Sequence, residues 1–181
     1  DFRKCTLSGE LCNTSFENCK VSGLKVKKGT LKNIQFPQDL QKCSFFDADL
    51  SETSLGNNKI CGAEFRECVM GPLPNDVSKC KFVSTSFKAN INGQSFIGSN
   101  LNKANFSAVS VTGANFTDCS VQKLVLPENV TDCILNKLDL STVDLSGRIF
   151  TKCQLREAKL PQNLSTTQFL QCDLSLCDLR S

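Results

Sequence analysis

Eight apolar residues recur at every fifth position between residues 91 and 126, in a chain that is only 40% apolar. They are Ile91, Phe96, Leu101, Phe106, Val111, Phe116, Val121 and Leu126. Chance produces such a run about once in 1500 windows. A period of five makes no continuous face on an α-helix, and on a strand it sends successive side chains to opposite faces. The period therefore predicts short extended units joined by bends, which wind the chain into a coil with these residues inside.

The same pattern runs from Phe2 to Leu179, and we call its inward apolar residues centres. Most steps between centres are five residues, with occasional steps of four such as Leu7 to Leu11, and the stretch 71–74 is irregular. Twelve of the 13 Phe residues are centres, and only Phe46 is not. No centre is charged. Nearly the whole chain is therefore predicted to form one repeat structure.

The position two residues before each centre holds small side chains. Ten of the 12 Cys residues occupy it, and elsewhere it is often Ala or Thr. Free Cys behaves as a small buried hydrophobe, so this position is predicted to lie inside. The other three positions of each unit are mainly polar, as expected for outward-facing bends.

Three units, at residues 48–52, 104–108 and 114–118, read Ala-Asp-Leu, Ala-Asn-Phe and Ala-Asn-Phe followed by two further residues. They resemble the A-[DN]-[LF]-x-x unit of the pentapeptide-repeat proteins. That resemblance implies an all-β fold, a right-handed quadrilateral parallel β-helix with four units per coil. The centres then make roughly nine coils and a rod ~45 Å long. We expect a single domain over 1–181, excised from a longer protein because the pattern is already running at Phe2 and stops in mid-pattern at Ser181.

A second motif, [LF]-P-x-[DN]-[LV], occurs four times and spans one step of four each time. Its copies begin at Phe36, Leu73, Leu126 and Leu160. The motif is either a geometric correction at a corner of the coil or a ridge of aligned corners that a partner grips. It is similar to a pattern in the β-helical domains of secreted enterobacterial effectors, including those fused to HECT-like ubiquitin ligases.

The chain carries little that could support chemistry. It has no His, no paired CxxC and no glycine-rich nucleotide motif, so we expect no catalytic residue, no metal and no cofactor. Cys133 and Cys153 are 20 residues apart and should stack on adjacent coils as free thiols. Free thiols indicate a reducing compartment, either the bacterial cytoplasm or, for a secreted effector, the host cytoplasm.

Two features are candidates for binding. Lys25, Lys27, Lys28 and Lys32 form a local basic run, which is either a solvated face or a contact for an acidic partner. Arg148 lies two before Phe150, where a small buried residue is expected, so the coil should bulge there or Arg148 should find a partner. The net charge of +3 is too mild to indicate nucleic acid or a membrane, and no small-molecule substrate is indicated.

These observations favour a non-catalytic protein–protein interaction scaffold, since solenoids offer long faces for binding. The effector resemblance implies that the chain recruits or orients a host protein for an attached ubiquitin ligase, whose catalytic domain a full-length protein could carry. The alternative is a DNA mimic. Some pentapeptide-repeat proteins resemble a B-DNA rod and bind DNA gyrase, protecting it from quinolones, but that needs a dense anionic surface.

Overall fold

The computed structural model describes residues 1–179, and within them the chain forms twelve short strands and no helix. The strands are β1 (Thr6–Ser8), β2 (Leu11–Cys12), β3 (Lys25–Lys32), β4 (Ser44–Glu52), β5 (Glu64–Arg66), β6 (Val69–Met70), β7 (Lys81–Val83), β8 (Ser86–Phe87), β9 (Val111–Thr112), β10 (Asn129–Thr131), β11 (Ile149–Thr151) and β12 (Gln168–Leu170). Every pairing is parallel and joins residues about one coil apart, as where Val26 lies between Leu7 and Phe45. The chain is a parallel β-solenoid of about nine turns, so the predicted fold class is confirmed.

The centres stack into four columns, one on each face of the solenoid. The strand pairs, isolated bridges and backbone hydrogen bonds between coils fix the register. Face 1 has Leu7, Val26, Phe45, Phe65, Phe82, Leu101, Val121, Leu140, Leu160 and Leu179; face 2 has Leu11, Leu31, Leu50, Met70, Phe87, Phe106, Leu126, Leu145 and Leu164. Face 3 has Phe16, Phe36, Leu55, Leu73, Ile91, Val111, Val130, Phe150 and Phe169; face 4 has Phe2, Val21, Leu40, Ile60, Val77, Phe96, Phe116, Leu135, Leu155 and Leu174. We number the coils from 1 to 9 by the face 1 centre with which each begins, from Leu7 to Leu160.

The core is the set of centres together with the small residues before them. Every centre from Phe16 to Leu160 is buried. On face 1 the rings of Phe45, Phe65 and Phe82 are stacked, with centroid separations of 5.0 and 5.2 Å. Stacked rings at this spacing fill the axis of the solenoid and join each coil to its neighbours.

The position two before each centre has a role beyond its size. There Thr85 donates a hydrogen bond to the Phe65 carbonyl (3.0 Å), Ser99 to Val77 (2.8 Å) and Cys80 to Ile60 (3.0 Å). The acceptor is in each case the carbonyl of the centre one face back in the coil below, so each side chain adds a hydrogen bond between two coils at the corner. Cys, Thr and Ser suit this position because they are small and also carry a donor.

Coils 1 and 2, from Leu7 to Val26 and from Val26 to Phe45, take 19 residues each, and coil 3 takes 20. Coil 4 takes only 17, from Phe65 to Phe82. Coils of 20 residues consist of four steps of five, and each coil of 19 contains one step of four.

The shortening of coil 4 includes a three-residue step from Met70 to Leu73, within the irregular stretch 71–74. Leu73 is buried there as the face 3 centre. This tight path requires Gly71, because a Cβ at that position would lie 2.7 Å from the Ser51 carbonyl oxygen and 2.8 Å from that of Leu50.

The four proline motifs are corner corrections, but they form no common ridge. The first two turn the chain from face 3 to face 4, the third from face 2 to face 3, and the fourth from face 1 to face 2. Of the two interpretations of the motif, the structure therefore fits the geometric correction and not a ridge of four aligned corners. The steps of four and three fall unevenly along the chain, so equal sequence motifs arrive at different corners.

Candidate interaction surface

The positive charge of the chain is concentrated in its first 42 residues. They contain eight basic and four acidic residues, a net charge of +4, while the remainder contains 13 basic and 14 acidic residues, a net charge of −1. Residues 1–42 make up coil 1, most of coil 2 and the segment leading into them. One end of the solenoid is thus basic and the rest is close to neutral.

Strand β3 presents the basic run in coil 2. Lys25 and Lys27 are exposed on either side of the face 1 centre Val26, and Lys28 is exposed at the following corner. Lys32 instead lies on face 2, where its Nζ is 3.2 Å from Glu52 Oε1, and this pairing raises the pKa of Lys32. Within residues 1–179 no ion pair forms at the other three lysines. Lys25, Lys27 and Lys28 thus form a surface of three unpaired cations that could contact an acidic partner.

Arg148 lies far from this run. It is in coil 8, six coils or about 29 Å further along the axis, at the corner between faces 2 and 3. Its Nε donates to the Leu126 carbonyl (3.1 Å) and its Nη1 to the Ser146 carbonyl (3.2 Å). Strand β11, which follows it, keeps an unbroken register with both neighbours. Arg148 has therefore found backbone partners without a bulge, and it does not form one site with the lysines.

Four of the buried cysteines are structural in this arrangement. Burial raises the pKa of the Cys43 and Cys68 thiols to about 11 and of the Cys80 and Cys119 thiols to about 12. Such thiols stay protonated near neutral pH and are poor nucleophiles. All twelve cysteines are free. Among the described residues no group of three or more Cys, Asp or Glu side chains could hold a metal ion.

Cys133 and Cys153 stack on consecutive coils, as predicted, since Ile134 is bridged to Gln154 directly after them. A hydrogen bond between the two thiols, together with burial, raises the pKa of Cys153. Of the two cysteines that follow a centre directly, Cys12 is exposed and Cys61 is half-buried. Partial loss of solvent and the Glu10 carboxylate raise the pKa of Cys12, which opposes a reactive role there.

Two surface features were not found from the sequence. A groove of about 760 Å³ lies along face 3 in the first coils, lined by amide side chains such as Asn33, Gln35 and Asn57 and by the carboxylates of Glu17 and Glu52. The residues directly flanking the nine face 3 centres include only one charged side chain in the described chain, Glu17. The sequence does contain a signal for this uncharged face, because every fourth unit, apart from the one with Glu17, lacks charged residues beside its centre. That signal becomes visible only after each short step has been assigned to a corner, since only then is it known which units belong to face 3.

None of the described residues forms a helix long and apolar enough to span a bilayer. The fold defines a class, that of four-sided parallel β-solenoids. Residues 87–121, in coils 5 to 7, match the family model for pentapeptide repeats in 8 copies. The resemblance to the pentapeptide-repeat proteins is thereby confirmed, and the coils on both sides of the match continue its four-sided geometry.

Several solved structures are similar to this chain. Full-length QnrB1, a plasmid-mediated fluoroquinolone resistance protein, is 15% identical over 96% of this chain and 86% of its own, with a TM-score of 0.43. A trypsin-treated form of QnrB1 is 16% identical over 92% and 89%, with a TM-score of 0.46. HetL from the cyanobacterium Nostoc sp. strain PCC 7120, a pentapeptide repeat protein involved in heterocyst differentiation regulation, is 19% identical over 99% and 89%, with a TM-score of 0.33. No curated protein sequence matches the chain.

Proposed function

We propose that this chain is a non-catalytic protein-binding scaffold that contacts an acidic partner through its basic end. The observation that carries the proposal is the net charge of +4 in residues 1–42, with Lys25, Lys27 and Lys28 exposed and unpaired on β3. The backbone beneath them is held by pairs to β1 and β4, so the cations are presented on a rigid surface. Rigid presentation reduces the entropy lost on binding.

The test is affinity capture from a cell lysate with three forms of the chain. The first is the wild type, and the second carries Lys25→Ala, Lys27→Ala and Lys28→Ala. The third is a matched control with Lys79→Ala, Lys88→Ala and Lys152→Ala, which removes three exposed lysines from other coils. Proteins bound by the wild type and the control but lost by the second form, and released by salt, support the proposal. If the second form binds the same proteins as the wild type while remaining folded by circular dichroism, the basic end is not the binding surface.

The finer form of the proposal is that the bound protein is a host protein, recruited for an attached effector ubiquitin ligase. The proline motif and its resemblance to effector β-helices support it. The gene on either side of residues 1–181 provides the test. A reading frame that continues into a domain with a lone Cys in a polar loop, and that transfers ubiquitin in vitro to a captured protein, is the expected result. A captured protein that the full-length product leaves unmodified would contradict the finer form and leave the scaffold proposal standing.

DNA gyrase is the alternative partner, as a target of DNA mimicry. A mimic needs dense negative charge along the rod, whereas this chain has a net charge of +3 and a face almost without charge. A gyrase supercoiling assay with and without a quinolone separates the two functions. We expect no protection of supercoiling at any concentration of the chain, and protection would favour the alternative.

We also propose that the protein works in a reducing compartment, which twelve free thiols support. Acid-quenched extraction from the native cell followed by mass spectrometry would show these cysteines as thiols. Disulfides in that sample would contradict the proposal.

A further inference from the structure

Between faces 1 and 2 the chain turns at one corner in every coil, and this corner is exposed in coils 3, 4, 6 and 7 and half-buried in coil 5. In coils 3 to 7 the residue at this corner is Asp47, Glu67, Ser84, Lys103 and Lys123, and we call these five the corner ridge. All five have a positive φ between 50° and 60°, so the backbone turns in the same way at each. The ridge thus repeats once per coil, at a spacing of about 4.8 Å.

Hydrogen bonds between coils fix the order of the corner ridge. The Glu67 amide donates to the Val83 carbonyl (2.9 Å), and the next corner amide, that of Ser84, donates to Asn102 (3.0 Å). The Lys103 amide then donates to Gln122 (2.8 Å) in the same manner. Below Glu67, the pairing of Phe46 with Arg66 aligns Asp47 with this column. Each corner residue therefore lies directly over the last.

The charges of the corner ridge are antisymmetric about its middle. Two carboxylates come first, a neutral serine is central, and two ammonium groups follow. All four charged side chains are exposed, and none of them has an ion-pair partner in the part of the chain that the structure describes. When a second copy of this column is placed antiparallel to the first, each carboxylate faces an ammonium group of the other copy.

We propose that the corner ridge is an interface with a second, antiparallel copy of this chain, related by a two-fold axis through Ser84. In this arrangement Asp47 faces Lys123 of the other copy and Glu67 faces Lys103, and symmetry repeats both pairs. The equal spacing of the coils brings all four pairs into register together. This surface does not depend on the partner proposed for the basic end.

Sliding one copy by a coil removes the match. In one direction only Asp47 with Lys103 remains paired, and Lys28, the corner residue of coil 2, is placed against Lys123. In the other direction only Glu67 with Lys123 remains. The charges therefore select the axis through Ser84, because like charges in register oppose the first alternative and half of the pairs are lost in both.

The residues beside the ridge are compatible with the same axis. Along face 1 the axis places Val83 against its own copy, Phe46 against Gln122 and Arg66 against Asn102. Phe46 is the one Phe that is not a centre, and both it and Val83 are only half-buried. A second copy would cover these two apolar side chains, so the interface offers them a role that the core does not.

The contact is small. A ridge of five coils is about 20 Å long, which gives an area below that of a standard stable interface. Exposed ion pairs are individually weak and are screened by salt. We therefore expect a weak dimer that forms at high protein concentration and dissociates as salt is added.

Charge reversal tests the proposal by sedimentation equilibrium from about 10 µM to about 1 mM protein at low salt. One variant carries Lys103→Glu and Lys123→Glu, which makes its ridge wholly acidic; a second carries Asp47→Lys and Glu67→Lys, which makes it wholly basic. Each alone should dimerise at least about tenfold more weakly than the wild type, because all four pairs become repulsive. An equal mixture of the two should dimerise at least as tightly as the wild type, because every pair is then attractive.

The matched control carries Lys79→Glu and Lys152→Glu, two exposed corner lysines outside the ridge with the same change in net charge. Its dimerisation should stay within about twofold of the wild type. A wild type that stays monomeric throughout, or folded variants that fail to recover dimers on mixing, would overturn the proposal. Equal weakening by the control would also overturn it, because net charge would then explain the effect.

Discussion

The middle coils and the end coils use the same kind of centre, yet they bury it differently. Phe106 is fully buried, with its ring centroid 4.5 Å from Phe87 and 5.8 Å from Phe96. Phe169 in coil 9 has one stacked neighbour, Phe150 at 5.3 Å, and is only partly buried. Beyond it Leu179 is 63% exposed. A centre therefore acquires its full burial from coils on both sides, and the ends of residues 1–179 lack one of them.

The largest effect should come from removing a ring from the middle. Phe106→Ala should lower the free energy of unfolding by about 3–5 kcal/mol, because it leaves a cavity between three other rings. Phe169→Ala should lower it by less than about 2 kcal/mol, since that side chain is partly solvated already. Urea unfolding followed by circular dichroism measures both. Equal losses of unfolding free energy in the two variants would show that Phe169 is as fully buried as Phe106, which would contradict the contrast.

Corner donors should show the same contrast on a smaller scale. Thr85→Val removes a buried hydrogen bond to Phe65 and should cost about 1 kcal/mol, because a bond shielded from water is lost while the pairing of β5 with β7 still reaches that carbonyl. Thr167→Val removes the equivalent bond to Leu145, 2.8 Å long in the native chain, but at a half-buried corner near the end. There water can replace the donor, and we expect about 0.5 kcal/mol in the same urea titration. A larger loss at Thr167 would contradict the contrast.

Arg148→Ala should help to locate where the middle coils give way to the end coils, because Arg148 lies one coil before Thr167 in the same column. It loses the bond from Nε to Leu126 but leaves no buried charge behind. We expect cooperative unfolding to be retained, with a loss of about 1 kcal/mol. Loss of cooperativity in a thermal melt would mean that the guanidinium organises the whole corner.

Alkaline pH should act on the middle through its thiols. In the folded chain burial raises the pKa of Cys80 and Cys119 from 9.0 to about 12. Between these values the unfolded chain loses protons that the folded chain keeps, so stability falls as pH rises above about 9. Midpoints of urea unfolding at about pH 8 and about pH 10 should show this fall. A variant with Cys80→Ala and Cys119→Ala should show a smaller fall, and an unchanged slope would assign the effect to other groups.

Periodicity was sufficient to predict the interior. The five-residue spacing predicted the centres and a chain wound into a coil around them, because each inward position must be apolar whatever lies outside it. The parallel β-helix and its roughly nine coils were implied by the resemblance to the pentapeptide-repeat proteins. Leu73 was left in an irregular stretch, since the three-residue step before it breaks the pattern. That step depends on how closely Gly71 approaches the coil below, which is a contact between residues about 20 apart. A local sequence pattern does not contain such a contact.

The surface was predicted less well. The basic run at Lys25–Lys28 is exposed as expected, but Lys32 is paired with Glu52 from the next coil and Arg148 lies elsewhere. Cysteine was interpreted as a small hydrophobe, whereas Cys80 also donates a hydrogen bond at its corner. Each of these differences between prediction and structure involves a contact between residues of neighbouring coils. Which residues meet there depends on the sum of all preceding steps, so one short step shifts every later assignment of corners.

The same short steps bear on how such a chain can change over time. A coil of 19 residues and one of 20 both return the chain to face 1 in register, and the coil of 17 does so as well. The loss or gain of a codon at a corner thus alters the circumference of a single turn and leaves the stacking above and below it intact. Small deletions that would disrupt most folds become tolerable variation here, and single turns can lengthen or shorten independently while the rod is preserved.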